Sequence, residues 1–129
     1  MAVRLKPFTA FGDLPFSLTA EALVARLGPP NRCARNNVAL NEYDYGHSVL
    51  RFQDNGRLEE ITLRAPVLQL DTVAIPFAAL ASFVLKQDAE TFERAGFLVS
   101  PAFGIAFVPG EPDWVTALAR HCIPTWRSL

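Results

Sequence analysis

Val49-Leu50-Arg51-Phe52-Gln53-Asp54-Asn55-Gly56-Arg57-Leu58-Glu59-Glu60-Ile61 is the stretch whose reading decides the fold. Apolar residues flank Asp54-Asn55-Gly56 on both sides, and Asn and Gly tolerate the positive φ of a tight turn, so the stretch predicts an antiparallel hairpin. A two-residue loop at Asn55-Gly56 places Leu50 opposite Ile61, Phe52 opposite Glu59 and Arg51 opposite Glu60. A three-residue loop with a bulge at Gly56 instead pairs Phe52 with Leu58 and Arg51 with Glu59. Either register sets an Arg–Glu pair across the strands.

The strand pattern extends outward from that hairpin. Tyr43, Tyr45 and Val49 favour strands and Gly46-His47 reads as a tight connection, which makes residues 40–64 an antiparallel meander. A further strand fits between Val67 and Ile75, with Pro66 and Pro76 at its limits. Upstream, Ser17 is a natural N-cap, and Leu18, Ala22, Leu23 and Leu27 recur at helical spacing until Gly28-Pro29-Pro30 stops the helix. Residues 1–16, with two prolines, suit an extended lead-in or edge strand.

Downstream, Pro76 opens a helix whose apolar face is Phe77, Leu80, Ala81, Val84 and Leu85. Asp88 is placed to cap a second short helix through Arg94 that ends at Gly96. Phe97–Val99 and Gly104–Val108 read as a hairpin around Ser100-Pro101. Glu111, Pro112 and Asp113 open a last helix running to about Cys122, with Trp114, Val115, Leu118 and Cys122 as its buried face. The chain is therefore expected to be a single α+β domain over residues 1–129. In it, a curved antiparallel sheet, meander plus hairpin, packs against three to four helices.

Composition agrees with a well-filled core. Half of the 129 residues are hydrophobic and 19 % are charged, values that leave no room for intrinsic disorder. Twelve basic against thirteen acidic residues give a net charge of −1, without the basic excess that a phosphate backbone attracts, so nucleic acid is not an expected partner. No apolar run reaches the roughly eighteen residues that span a bilayer, and Lys86-Gln87-Asp88 ends the longest one, so no membrane association is expected. The N-terminal stretch lacks the pattern of a secretory signal, and Cys33 and Cys122 are too far apart for a CxxC pair. A cytoplasmic protein with two free thiols is the expectation.

The glycines follow neither Walker nor dinucleotide-binding spacing, and Ser100 lacks a Gly-x-Ser-x-Gly setting. A nucleophile pair of Cys122 with His47 or His121 is not expected, since adjacent residues on a helix diverge by about 100° and do not face each other. No catalytic residue, metal ligand or cofactor is therefore expected. The densest polar constellation is Asn41-Glu42-Tyr43-Asp44-Tyr45-Gly46-His47. On a strand, Glu42 and Asp44 share one face and Tyr43 and Tyr45 the other. Glu42, Tyr43, Asp44, Tyr45 and His47 are the candidate binding residues, because tyrosine supplies large contact area with a polar handle.

Leu27-Gly28-Pro29-Pro30-Asn31-Arg32, followed by Tyr43-Asp44-Tyr45-Gly46 and the hairpin of residues 49–58, resembles the helix–GxP–hairpin unit of BamE/SmpA-like and beta-lactamase-inhibitor-like proteins. The resemblance covers residues 17–64 and implies a module that binds proteins. The second half, with Gly96–Pro101 and Phe107–Pro112, looks like small bacterial proteins, some of them associated with toxin–immunity loci. The functional expectation is a cytoplasmic protein-binding module, such as an immunity protein that neutralises a cognate toxin. A small enzyme or ligand-binding protein with a pocket between sheet and helices is the alternative, and an exposed hairpin edge also allows a homodimer.

Overall fold

The computed structural model describes residues 2–110 and 112–129. Strands β1 (Ala2–Lys6), β2 (Ala10–Phe11) and β3 (Leu14–Pro15) precede helix α1 (Ala20–Leu27). The meander follows as β4 (Arg32–Arg35), β5 (Asn41–Asp44), β6 (Ser48–Phe52) and β7 (Leu58–Arg64). A hairpin of β8 (Val67–Leu70) and β9 (Val73–Pro76) leads into helix α2 (Phe77–Gln87). Strands β10 (Phe92–Arg94), β11 (Phe97–Ser100), β12 (Ile105–Phe107) and β13 (Trp114–Leu118) come next, and a 3-10 turn, Arg120–Cys122, passes into helix α3 (Ile123–Ser128).

The strands form two sheets. Eight lie in the order β10-β11-β12-β13-β7-β6-β5-β4, all neighbours antiparallel, and five in the order β3-β2-β1-β8-β9, in which β1 and β8 run parallel. Alternation along each strand gives the large sheet two distinct faces. Its inner face presents Leu50, Phe52, Ile61, Val115, Ala117, Ile105 and Phe107 to Leu5, Phe11 and Leu68 of the small sheet and to Leu23, Leu80 and Val84 of α1 and α2, all in one buried cluster. Its outer face carries a second, smaller cluster of Val99, Ala106, Leu118 and Cys122, roofed by Ile123 and Trp126 of α3.

The expected α+β fold, with three to four helices packed on one sheet, is thus corrected to a sheet-dominated fold with two sheets and, among the described residues, three short α-helices of 8, 11 and 6 residues. The expected last helix is the main source of the difference. Trp114–Leu118 is a strand paired with both β7 and β12, and Val115 to Leu118 are all buried. A strand covered on both faces shows no alternation, and its continuous apolar run is easily mistaken for a helix face. Glu111 lies outside the described residues. The expected helix from Asp88 to Arg94 is also absent: Phe92–Arg94 pairs with Phe97–Val99. Ala95 and Gly96, both at positive φ, form the two-residue turn between them, so Gly96 closes a hairpin instead of a helix.

Other elements follow the sequence closely. Helix α1 is capped by Thr19, two residues beyond Ser17, whose side chain accepts from the Ala22 amide at 3.1 Å. The stretch from Val67 to Ile75, expected as one strand, is instead a hairpin of two strands, with Asp71 at positive φ in its turn. No helix among the described residues is long and apolar enough to cross a membrane.

Candidate functional site

The site starts at an irregularity in the deciding hairpin. Gln53 and Arg57 close a loop of Asp54, Asn55 and Gly56, with Gly56 at φ +88 and its amide on the Gln53 carbonyl. Phe52 then pairs with Leu58, but Arg51 pairs with Glu60 and Leu50 with Ile61. Each of the two registers open to the sequence therefore holds on one side of a break, and Glu59 is the extra residue between them. A bulge of this kind turns consecutive side chains away from strict alternation. Leu58 and Ile61 remain in the inner core, whereas Glu59 and Glu60 both line a groove on the outer face.

The C-terminal segment closes over that bulge. Past β13 the Ala119 amide still donates to the Glu59 carbonyl at 2.9 Å. The 3-10 turn then brings His121 and Cys122 onto the Glu59 carboxylate. His121 Nε2 hydrogen-bonds Glu59 Oε2, the Cys122 thiol donates to the same oxygen at 3.3 Å, and Arg57 Nε donates to Oε1 at 2.8 Å. Trp126 on α3 donates from Nε1 to Glu60 Oε2 at 3.2 Å and packs edge-on against Phe97, with ring centroids 5.2 Å apart.

Next to this cluster runs a polar ladder across four strands, β5, β6, β7 and β13. Arg51 Nε donates to Glu42 Oε2 at 2.7 Å, and its Nη1 donates to Thr62 Oγ1 at 2.7 Å and, loosely, to Glu60 Oε1 at 3.4 Å. Thr62 in turn hydrogen-bonds Thr116 at 2.8 Å. The groove above these groups has a volume of about 340 Å³, at the small end of ligand pockets. Arg51, Glu59, Glu60 and Thr116 line it together with the β4–β5 connection, Asn36 to Leu40, and the Trp126–Leu129 end of α3.

The two neighbouring glutamates differ in proton affinity. Burial raises Glu60; the Arg51 charge and the hydrogen bond from Trp126 offset part of this, and the nearby Glu42 and Glu59 charges add to it. Burial pushes Glu59 in the same direction, but hydrogen bonds from Arg57, His121 and Cys122 outweigh it and hold its carboxyl below the usual range. Burial, then Glu59 itself, pushes the Cys122 thiol up, so the sulfur is protonated and a poor nucleophile as it stands.

The five residues singled out in the sequence do not share one surface. Glu42 lies on the outer face and joins the ladder through Arg51. Asp44 is occupied locally, accepting from the Gly46 amide at 2.8 Å. Tyr43 packs its ring edge-on to Phe52 at 5.2 Å against the inner core. Tyr45 is buried, and its hydroxyl donates to the Gly28 carbonyl at 2.9 Å, tying the meander to the end of α1. His47 is exposed in the turn between β5 and β6.

Glu59, Glu60, His121, Cys122 and Trp126 are not among the candidate site residues that the sequence points to. One signal was available: Leu58-Glu59-Glu60-Ile61 sets two acids side by side inside an apolar strand, which breaks its alternation. Divergence on an α-helix argues against pairing His121 with Cys122, yet from the 3-10 turn after β13 both side chains reach the one Glu59 carboxylate that lies between them. Among the described residues, Glu59, His121 and Cys122 are also the one group of three with metal-ligating side chains close together. Compared with family models, curated proteins and solved structures, the chain matches none.

Proposed function

We propose that this chain is a protein-binding module that takes a short segment of its partner into the outer groove. The observation that carries this reading is the loose Arg51–Glu60 pair, 3.4 Å apart, at the floor of a groove with apolar rims. A peptide group offers both the acceptor that Arg51 takes and the donor that Glu60 takes. Val38, Leu40, Phe97 and Leu129 supply apolar walls for side chains beside it. Val38 is 48 % exposed on one rim and Leu129 55 % on the other, and paired apolar rims around a polar floor are the anatomy of a recognition groove. The free thiols of Cys33 and Cys122 support a reducing, cytoplasmic setting for the module.

Photo-crosslinking in the source cell tests it. A photoreactive side chain at Asn37, on the rim, should trap one dominant protein, and Val38→Asp in the same chain should abolish the trapped band. The same probe at exposed Leu85 on α2 should trap none. Equal trapping from both positions, or trapping at Asn37 that is indifferent to Val38→Asp, would overturn the reading.

A further inference from the structure

We propose that Glu59, His121 and Cys122 form a site for a divalent cation of the zinc class in the wall of the groove. One carboxylate oxygen, one imidazole nitrogen and one sulfur, contributed by a strand bulge and a 3-10 turn, all lie within 4.8 Å of one another. That donor set is the one zinc prefers, and mixed N, O and S ligands select it over magnesium and calcium.

Three further features fit an ion better than a hydrogen-bonded knot. The site balances charge: a glutamate, a thiolate and a neutral imidazole together neutralise a dication, so little net charge is buried. Glu59 is held by an outer partner, since Arg57 Nε takes Oε1 at 2.8 Å and leaves Oε2 toward His121 and Cys122; such partners commonly orient metal-ligating carboxylates. The positions are also fixed by backbone, with the Ala119 amide on the Glu59 carbonyl and the Cys122 amide on the Ala119 carbonyl, both at 2.9 Å.

Binding the ion exchanges a proton for a metal. The Cys122 thiol loses its proton to solvent as the S–metal bond forms, and His121 contributes the lone pair of Nε2. All three ligands line the groove, so an ion held among them keeps a coordination position open to it. Three protein ligands with one open position is the arrangement of zinc sites that take a water or a ligand. The site would then give the groove a Lewis acid beside the Arg51–Glu60 floor. The inference does not depend on what the groove binds.

Metal titration of the intact, chelator-stripped protein decides it. Cobalt(II) should bind with one equivalent and produce the thiolate-to-metal absorption and the intense visible bands of a tetrahedral site. Zinc should displace it and raise Tm. Cys33→Ser should leave these spectra unchanged, because Cys33 is exposed on the edge strand β4 and is not one of the clustered ligands, whereas Cys122→Ser should abolish the thiolate band. His121→Ala replaces a half-exposed side chain, so its fold should persist by circular dichroism while zinc binding weakens at least tenfold. Arg57→Gln should weaken it roughly 10- to 100-fold through the outer shell. No thiolate band in the wild type, a band that follows Cys33, or unchanged zinc affinity in folded His121→Ala would each overturn the proposal.

Discussion

The two faces of the large sheet are built from the same strands and buried by opposite means. On the inner face Leu50, Ile61 and Ala117 stand in register across β6, β7 and β13, and each is at most 1 % exposed. One residue along the same strands, Arg51, Glu60, Thr62 and Thr116 form the outer ladder, with Glu42 at its end. Dispersion and water exclusion hold the first face, and they are indifferent to exact partners. The second face depends on each charge keeping its partner, because a buried charge without one is expensive. The inner face therefore stabilises the fold, while the outer face keeps its polar groups paired and adds little net stability.

The largest expected effect probes the inner face. Ile61→Ala removes a fully buried side chain and should destabilise by about 4 kcal/mol, the upper part of the range for a core truncation that cannot collapse. Urea unfolding would show it as a lower midpoint at unchanged m. Arg51→Met on the outer face keeps the aliphatic stem but strips Glu42 and Glu60 of their cation. It should cost about 2 kcal/mol, less than the ion-pair extreme because the Arg51 side chain is 20 % exposed and Glu60 can take up a proton. A loss as large as that of Ile61→Ala would break the comparison and make the ladder a structural element.

The contrast also explains what could be read from the sequence. The hairpin was legible because Asn55-Gly56 permits little else, and the two faces of residues 40–64 follow from alternation. The bulge was visible only as two competing registers, since nothing local reveals that each would hold on its own side of Glu59. Trp114–Leu118 was illegible as a strand because burial on both faces erases the period that identifies one. The candidate site was least legible of all. Its Glu59 and His121 are 62 positions apart, and their meeting depends on β13 being a strand that delivers the chain end to the bulge.

A buried carboxylate away from the ladder sharpens the comparison further. Asp88, at the end of α2, accepts from Ser100 Oγ at 2.7 Å and from the amides of Ala102 and Glu90 at 2.9 and 3.0 Å, tying the helix to the turn between β11 and β12. Burial alone would raise its pKa, but those bonds outweigh burial and hold it below the ordinary aspartate range. A carboxyl depressed on folding binds its proton more readily in the unfolded chain. Its contribution is thus complete above the unfolded value, about pH 4, and is lost as pH falls through the lower folded value. Asp88→Asn should lose about 1.5 kcal/mol at neutral pH, and its stability should fall less steeply than the wild type's below about pH 4. Parallel curves for the two proteins across that range would show that Asp88 gains nothing from its charge.

The smallest effect is expected where the inner face breaks its own rule. Ser48 is 1 % exposed on β6, and among the described residues its Oγ is a buried side-chain polar atom with no hydrogen-bond partner. An unsatisfied hydroxyl in an apolar layer is destabilising, and removing it deletes that penalty together with very little packing volume. Ser48→Ala should therefore raise stability by up to about 1 kcal/mol, read as a rise in the urea midpoint. The same exchange on the outer face, Thr116→Val, removes a partnered hydroxyl and should move the midpoint the other way. If Ser48→Ala also lowered the midpoint, the inner face would contain a polar contact of its own, and dryness could no longer be what separates the two faces.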